Sequence, residues 1–169
     1  MGGSAFTRAG AHTAQNRHGC PMSLHVRRQI VGAIVTRLEA IPGVTVKAGR
    51  TAPSPVVSAP YILVHARREQ AASVTSRGDE VRLQRRLSVL IDVVHADPED
   101  DDGEADRLCL LVERAMLADP TFGGLAHDLE GPDTTLDARA EGETRLGRAR
   151  LEFQLEYHTT AQRPDQHLQ

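Results

Sequence analysis

Residues 80–96 read EVRLQRRLSVLIDVVHA. The odd positions Val81, Leu83, Leu87, Val89, Ile91 and Val93 form an apolar track at period two, broken by Arg85, and this predicts a strand. The even positions change character halfway. Arg82, Gln84, Arg86 and Ser88 are polar, whereas Leu90 and Val94 flank Asp92, so Leu87–Val94 is apolar on both faces and belongs in the middle of a sheet, under helices. A straight strand of this length spans about 55 Å at roughly 3.3 Å per residue. A compact domain of this size has a diameter of only about 38 Å. Two outcomes fit the excess. A bulge near Arg85 bends the strand and turns that side chain outward, or the half Val81–Arg86 reaches past the body, with Arg85 facing a neighbouring subunit or solvent.

The rest of the chain sorts by the same reading. Ser23 is placed to cap a helix whose apolar stripe is Val26, Ile30, Ile34, Leu38 and Ile41, widened by Val31 and Val35 and ended by Pro42-Gly43. A short strand, Val44–Ala48, precedes a proline-rich surface loop, Gly49–Pro60. Tyr61–His65 predicts a short central strand, and the polar residues 68–79 a connection into the long strand. A second helix follows the acids Asp97, Glu99, Asp100, Asp101, Asp102, Glu104 and Asp106, which suit a helix N-terminus. Its buried side is expected at Leu108, Leu111, Val112 and Ala115. DPTFGGLAHDL predicts a compact turn, Thr134–Ala140 a strand, Glu141-Gly142-Glu143 a turn, and Leu146–Thr159 a second long strand. That strand alternates from Ala149, Leu151, Phe153, Leu155 and Tyr157 to Arg148, Arg150, Glu152, Gln154, Glu156 and His158. If the two long strands pair antiparallel, Arg82, Gln84 and Arg86 can face Glu152, Gln154 and Glu156.

This order predicts one α+β domain. Its core is a mostly antiparallel twisted sheet of about five strands with two main helices packed against it. The domain is expected over residues 22–161, after a flexible leader, 1–21, and before a C-terminal tail, 162–169.

Composition narrows the function. Aromatics make up 3% of 169 residues, which argues against stacking platforms for single-stranded nucleic acid. A formal charge of −3, from 20 basic and 23 acidic side chains with no Lys/Arg-rich block, argues against tight nucleic-acid binding. No apolar run is long enough to span a membrane. Cys109 lies among leucines as a buried free thiol, in keeping with a reducing compartment.

Chemistry finds no foothold. The eight histidines lack zinc-site spacing. No nucleophile elbow, phosphate-binding loop or dinucleotide fingerprint occurs. Placing Gly103 at the glycine of a calcium loop puts Pro98 at the first ligand position, which rules that loop out. Asp92 reads as a buried structural carboxylate bonded to a loop or an arginine. The expectation is a protein with no catalytic, cofactor-binding or metal site. Its candidate contact residues are Arg68, Arg82, Arg85, Arg86, Asp97, Glu99, Asp100, Asp101 and Asp102.

The succession RRQIVGAIVTRLEAI, PYILV, RLQRRLSVLIDVV, ADRLCLLVERAMLADPTFGGLAHDL and GRARLEFQLEYHTTA resembles the phage tail terminator family, also called tail completion or minor tail protein U-like. The resemblance covers about residues 22–161 and rests on order and spacing. It implies a non-enzymatic virion protein of a siphophage-like particle or gene transfer agent, assembled in the host cytoplasm. Such a protein forms a homohexameric ring at the head-proximal end of the tail tube. The ring ends tube polymerisation and offers the head–tail joining surface. The implied partners are the chain itself, the major tail tube protein and the head–tail connector or stopper. Genomic DNA would pass through the lumen without specific binding. A head-completion or connector (stopper) protein of the neck is the alternative.

Overall fold

The computed structural model describes residues 23–49, 60–77, 80–96, 102–141 and 144–168. The expected leader, most of the proline-rich loop and the acids Asp97, Glu99, Asp100 and Asp101 lie outside the described residues. The elements are α1 (Val26–Leu38), β1 (Thr45–Ala48), β2 (Tyr61–Arg77), β3 (Glu80–Ala96), α2 (Asp102–Leu117), β4 (Asp128–Glu141) and β5 (Thr144–Thr160). The strands form one sheet in the order β1-β2-β3-β5-β4, with β1 parallel to β2 and the other neighbours antiparallel. The fold is α+β.

Both helices lie on one face of the sheet. The apolar stripe of α1 buries Val26, Ile30, Val31, Ile34 and Leu38. Its N-cap is His25, two residues later than the expected Ser23: the ring Nδ1 accepts from the Arg27 amide at 3.1 Å. The chain turns off at Gly43, whose φ of 77° a side chain would oppose. The α2 stripe is rotated slightly from the expected one. Ala105, Leu108, Cys109, Val112 and Met116 are buried, while Leu111 and Ala115 only pack against the core edge.

Arg37 of α1 locks the two helices together. Its guanidinium donates to the carbonyls of Met116 and Asp119 at the end of α2, at 3.3 and 2.6 Å, and lies 4.3 Å over the Phe122 ring. These carbonyls have no partner within the helix, so a cation there both satisfies them and opposes the dipole. The following turn is organised by Asp119, which accepts from the Thr121 hydroxyl and amide and the Gly123 amide.

β3 is 17 residues long, and 15 of them pair without interruption with β5, from Arg82↔Thr160 to Ala96↔Leu146. It carries no bulge near Arg85. Its polar half is no lone arm either, because Arg68–Arg77 of β2 and Gln154–Thr160 of β5 flank it on both sides. β2 is therefore a 17-residue strand, and residues 68–77 are ladder, where the polar pattern predicts a connection. The register shifts are in β2, between Ala66 and Arg68 and between Ser73 and Thr75.

A helix of 13 residues is about 20 Å long, so it covers well under half of strands that span about 56 Å. The covered part is the tract Leu87–His95, in which every residue is buried. On the helix-free face Leu63, Leu90 and Val94 remain about 5% exposed. The second long strand buries Ala149, Leu151, Phe153, Leu155 and Tyr157 towards the helices.

β4 starts at Asp128, six residues before the strand expected from the pattern, and passes through a register irregularity at Gly131-Pro132, a cis peptide. Proline is tolerated there because β4 is an edge strand. Residues 161–168 lie against the body. The Pro164 carbonyl accepts from the Val26 amide at 3.0 Å, and the Leu168 amide donates to His158 at 2.9 Å.

Candidate assembly surface

The one-residue shift after Ala66 decides which face receives the charges of β2. Before it, Ile62, Val64 and Ala66 stand opposite Val93, Ile91 and Val89, on the helix face. Without the shift Glu69 would alternate onto the opposite face. With it, Glu69 stands opposite Leu87 and points under α1. There it accepts from Arg27 at 2.9 Å, from Arg85 at 3.1 Å and from the Tyr157 hydroxyl.

Arg85 also donates to Thr159 at 2.8 Å, and its side chain is 12% exposed. Neither expected outcome for Arg85 holds: it stays on the inward face and is neutralised inside the subunit. Burial and then the Glu69 hydrogen bond raise the Tyr157 pKa, so the phenol stays a donor.

The helix-free face is built from alternate residues of β2 to β5. At its centre Asp92, 3% exposed, accepts from Arg148 at 2.6 Å and Arg150 at 2.8 Å. Burial alone would raise its pKa. Hydrogen bonds from Arg150 and Arg148 outweigh that and hold the carboxyl below its ordinary value. Asp92 has the structural role its setting in the sequence predicts.

Around this centre the surface divides by sign. On the β2–β3 side Arg67, Arg68, Arg82 and Arg86 are exposed. On the β4 side Asp128, Glu130 and Asp133 are exposed, opposite Glu156, Gln154 and Glu152 of β5. Two acid pairs thus face each other across strands, which is unfavourable unless cations relieve them. The β5 acids are relieved: Glu152 by Arg67 at 2.8 Å and the Ser88 hydroxyl at 2.5 Å, Glu156 by Arg86 at 3.6 Å. Asp128, Glu130 and Asp133 have no ion pair among the described residues, and neither do Arg68 and Arg82.

Of the contact residues expected from the sequence, Arg68, Arg82 and Arg86 share this face. Arg85 is on the other. Asp102 opens α2, with its side chain outside the described set, as are the other expected acids of that loop. The antiparallel pairing of the long strands holds with a shifted register. Arg86 meets Glu156 as a pair, but Gln84 faces His158 and Arg82 faces Thr160.

Sequence reasoning missed the acidic edge, because HDLEGPD reads as the end of a turn. The signal available was the alternation of Asp128 and Glu130 with Leu129, which is buried. It also missed a histidine group at the far end of the sheet, with ring centroids 4.4 Å apart for His127 and His158 and 5.2 Å for His127 and His167. Among the described residues no group of three or more His, Cys, Asp or Glu is arranged to hold a metal ion, and no helix is long and apolar enough to cross a membrane.

No family model and no curated protein matches the chain. Among solved structures it is similar to the sheath/tube terminator, in the extended state, of an extracellular contractile injection system (PVC), at 13% identity and a TM-score of 0.44. That match covers 79% of this chain and 57% of the other, so the chain spans little more than half of that protein's length. It is also similar to a chain of the virion of a native gene transfer agent particle, at 16% identity and a TM-score of 0.35, over 75% of this chain and 92% of that one.

Proposed function

We propose that this chain is a structural virion protein. Copies of it form a ring, a hexamer by the resemblance of its sequence, on the head-proximal end of a phage-type tail tube. The ring ends addition of tube subunits and presents the surface that meets the head connector. The domain that does this is the body from residue 22 to 161, with 162–168 folded onto it.

The observation that carries this reading is the division of the helix-free face into a basic half on β2–β3 and an acidic half on β4. Two different patches of opposite sign on one chain suit a head-to-tail contact, the kind that closes rings. The exposed arginines 67, 68, 82 and 86 are matched on the same face by Asp128, Glu130, Asp133, Glu152 and Glu156. A lumen lined by such a face lacks the uniform basic charge that would grip phosphates, so duplex DNA slides through it.

Electron microscopy of particles made without the protein tests the role. The expected result is headless tails of irregular, excessive length. Tails of normal length that merely lack heads would overturn it in favour of a neck stopper.

A further inference from the structure

We infer that the outer edge of β2, Gln70–Val74, is the docking site for strand β4 of a second copy, joined antiparallel so that one sheet runs on into the next. This rests on the ring reading above and names the surfaces that build it.

β1 pairs only with Tyr61–Val64, so beyond that point no strand lies on the outer edge of β2 among the described residues. Open edges are ordinarily guarded by charges, proline or bulges, because their unpaired amides and carbonyls recruit other strands. The β4 edge is guarded in this way by Asp128, Glu130, Asp133 and the Gly131-Pro132 irregularity. The β2 edge is not. Gln70-Ala71-Ala72-Ser73-Val74 carries no charge and no proline, all five residues are exposed, and Val74 is 50% exposed. An exposed, uncharged tract of regular ladder on one edge of the sheet, with a charged edge at the other, is a place where a strand can add.

Direction and charge select that strand. Successive strands from β2 through β3 and β5 to β4 alternate in direction, so β4 runs opposite to β2. Placing β4 of one copy beside β2 of the next keeps the alternation and leaves the helices of both copies on the same side. Arg67 and Arg68 flank the β2 edge, while unpaired acids line β4. A β2–β2 or β4–β4 junction would set like charges together, whereas β2–β4 sets opposite charges together. The β4 edge also offers an exposed Leu136, 53% exposed, to an apolar partner such as Val74.

The test uses the full chain and three variants, followed by sedimentation for assembly and thermal melting for the fold. Ala72→Glu, opposite Gln84 on the helix-free face, sets a like charge against the incoming acids, and Thr135→Lys, opposite Arg150 on that same face, sets one against the arginines of β2. Each is expected to weaken assembly at least about tenfold, about 1.4 kcal/mol, with melting unchanged. The double variant restores assembly, because at every β2–β4 junction the two new charges are opposite. Single variants that assemble like the wild type, a double variant weaker than either single, or a wild-type chain that is monomeric even at millimolar concentration would overturn the junction. If the single variants assemble unchanged yet still stop tube growth, the junction fails and the capping role stands. If assembly follows the expected pattern but tubes keep growing, the capping role fails and the junction stands.

Discussion

Arg85 of β3 and Glu69 of β2 meet at 3.1 Å beneath α1, with side chains 12% and 13% exposed. Arg27 and Tyr157 converge on the same carboxylate, so one acid ties α1, β2, β3 and β5. Removing one partner of such a group leaves buried charge uncompensated. Glu69→Gln and Arg85→Ala are each expected to lower stability by about 3–5 kcal/mol. Urea unfolding measures this. A change under about 1 kcal/mol would mean that the group is solvated.

Arg82 and Arg86 behave differently although they neighbour Arg85 in sequence. Both are exposed, and the Arg86–Glu156 pair is long at 3.6 Å. Arg82→Glu with Arg86→Glu is expected to shift folding stability by no more than about 1 kcal/mol while impairing assembly. A large loss in melting temperature would show that this half of the face supports the fold.

Much of this was legible in the chain. The odd track of β3 and the alternation of β5 fix which residues face the helices, since a period of two allows one choice once the core side is known. The second half of β2 was not legible: REQAASVTSR has no alternation, and pairing with β3 makes it a strand. The upstream part of β4 was hidden because glycine and proline, the usual signs of a break, sit there inside an edge strand. The neutralisation of Arg85 depends on a one-residue shift 19 positions earlier in β2, which no local pattern announces.

Two glycines are held by close packing. A Cβ on Gly147 would overlap the imidazole of His95, which is 2% exposed, and one on Gly131, at φ 115°, would come within 2.8 Å of the Glu152 carbonyl oxygen. Gly147→Ala and Gly131→Ala are each expected to cost about 1–3 kcal/mol, read from the denaturation midpoint. The exposed Gly32, with nothing near its Cβ, is the control: Gly32→Ala in the middle of α1 is expected to stabilise by up to about 1 kcal/mol.

Acid weakens the fold in two stages. Burial first, and then neighbouring cations or histidines, lower the pKa values of His25, His158 and His167. The folded chain therefore prefers their neutral forms, and their contribution is full above the unfolded value of about 6.5. It is lost as pH falls through the folded values, and with it the His25 cap, which needs an unprotonated Nδ1. Asp92 and Asp119 form the second stage. The Thr121 hydroxyl and the Gly123 amide lower Asp119 to about 2. Stability from these carboxylates is present above about pH 4 and disappears as pH drops through their depressed values. Melting temperature against pH should fall from about pH 7 to about pH 5 and again below about pH 4. A flat profile between about pH 7 and about pH 5 would contradict the histidine stage.

The most direct measurement is the length of tail tubes polymerising in vitro when the purified chain is added. The expected result is growth that stops in proportion to added protein, with ring density at one end of each tube and a stoichiometry of one ring per tube. Tubes that lengthen at the same rate with the chain present, or that bind it along their sides, would contradict a terminating role.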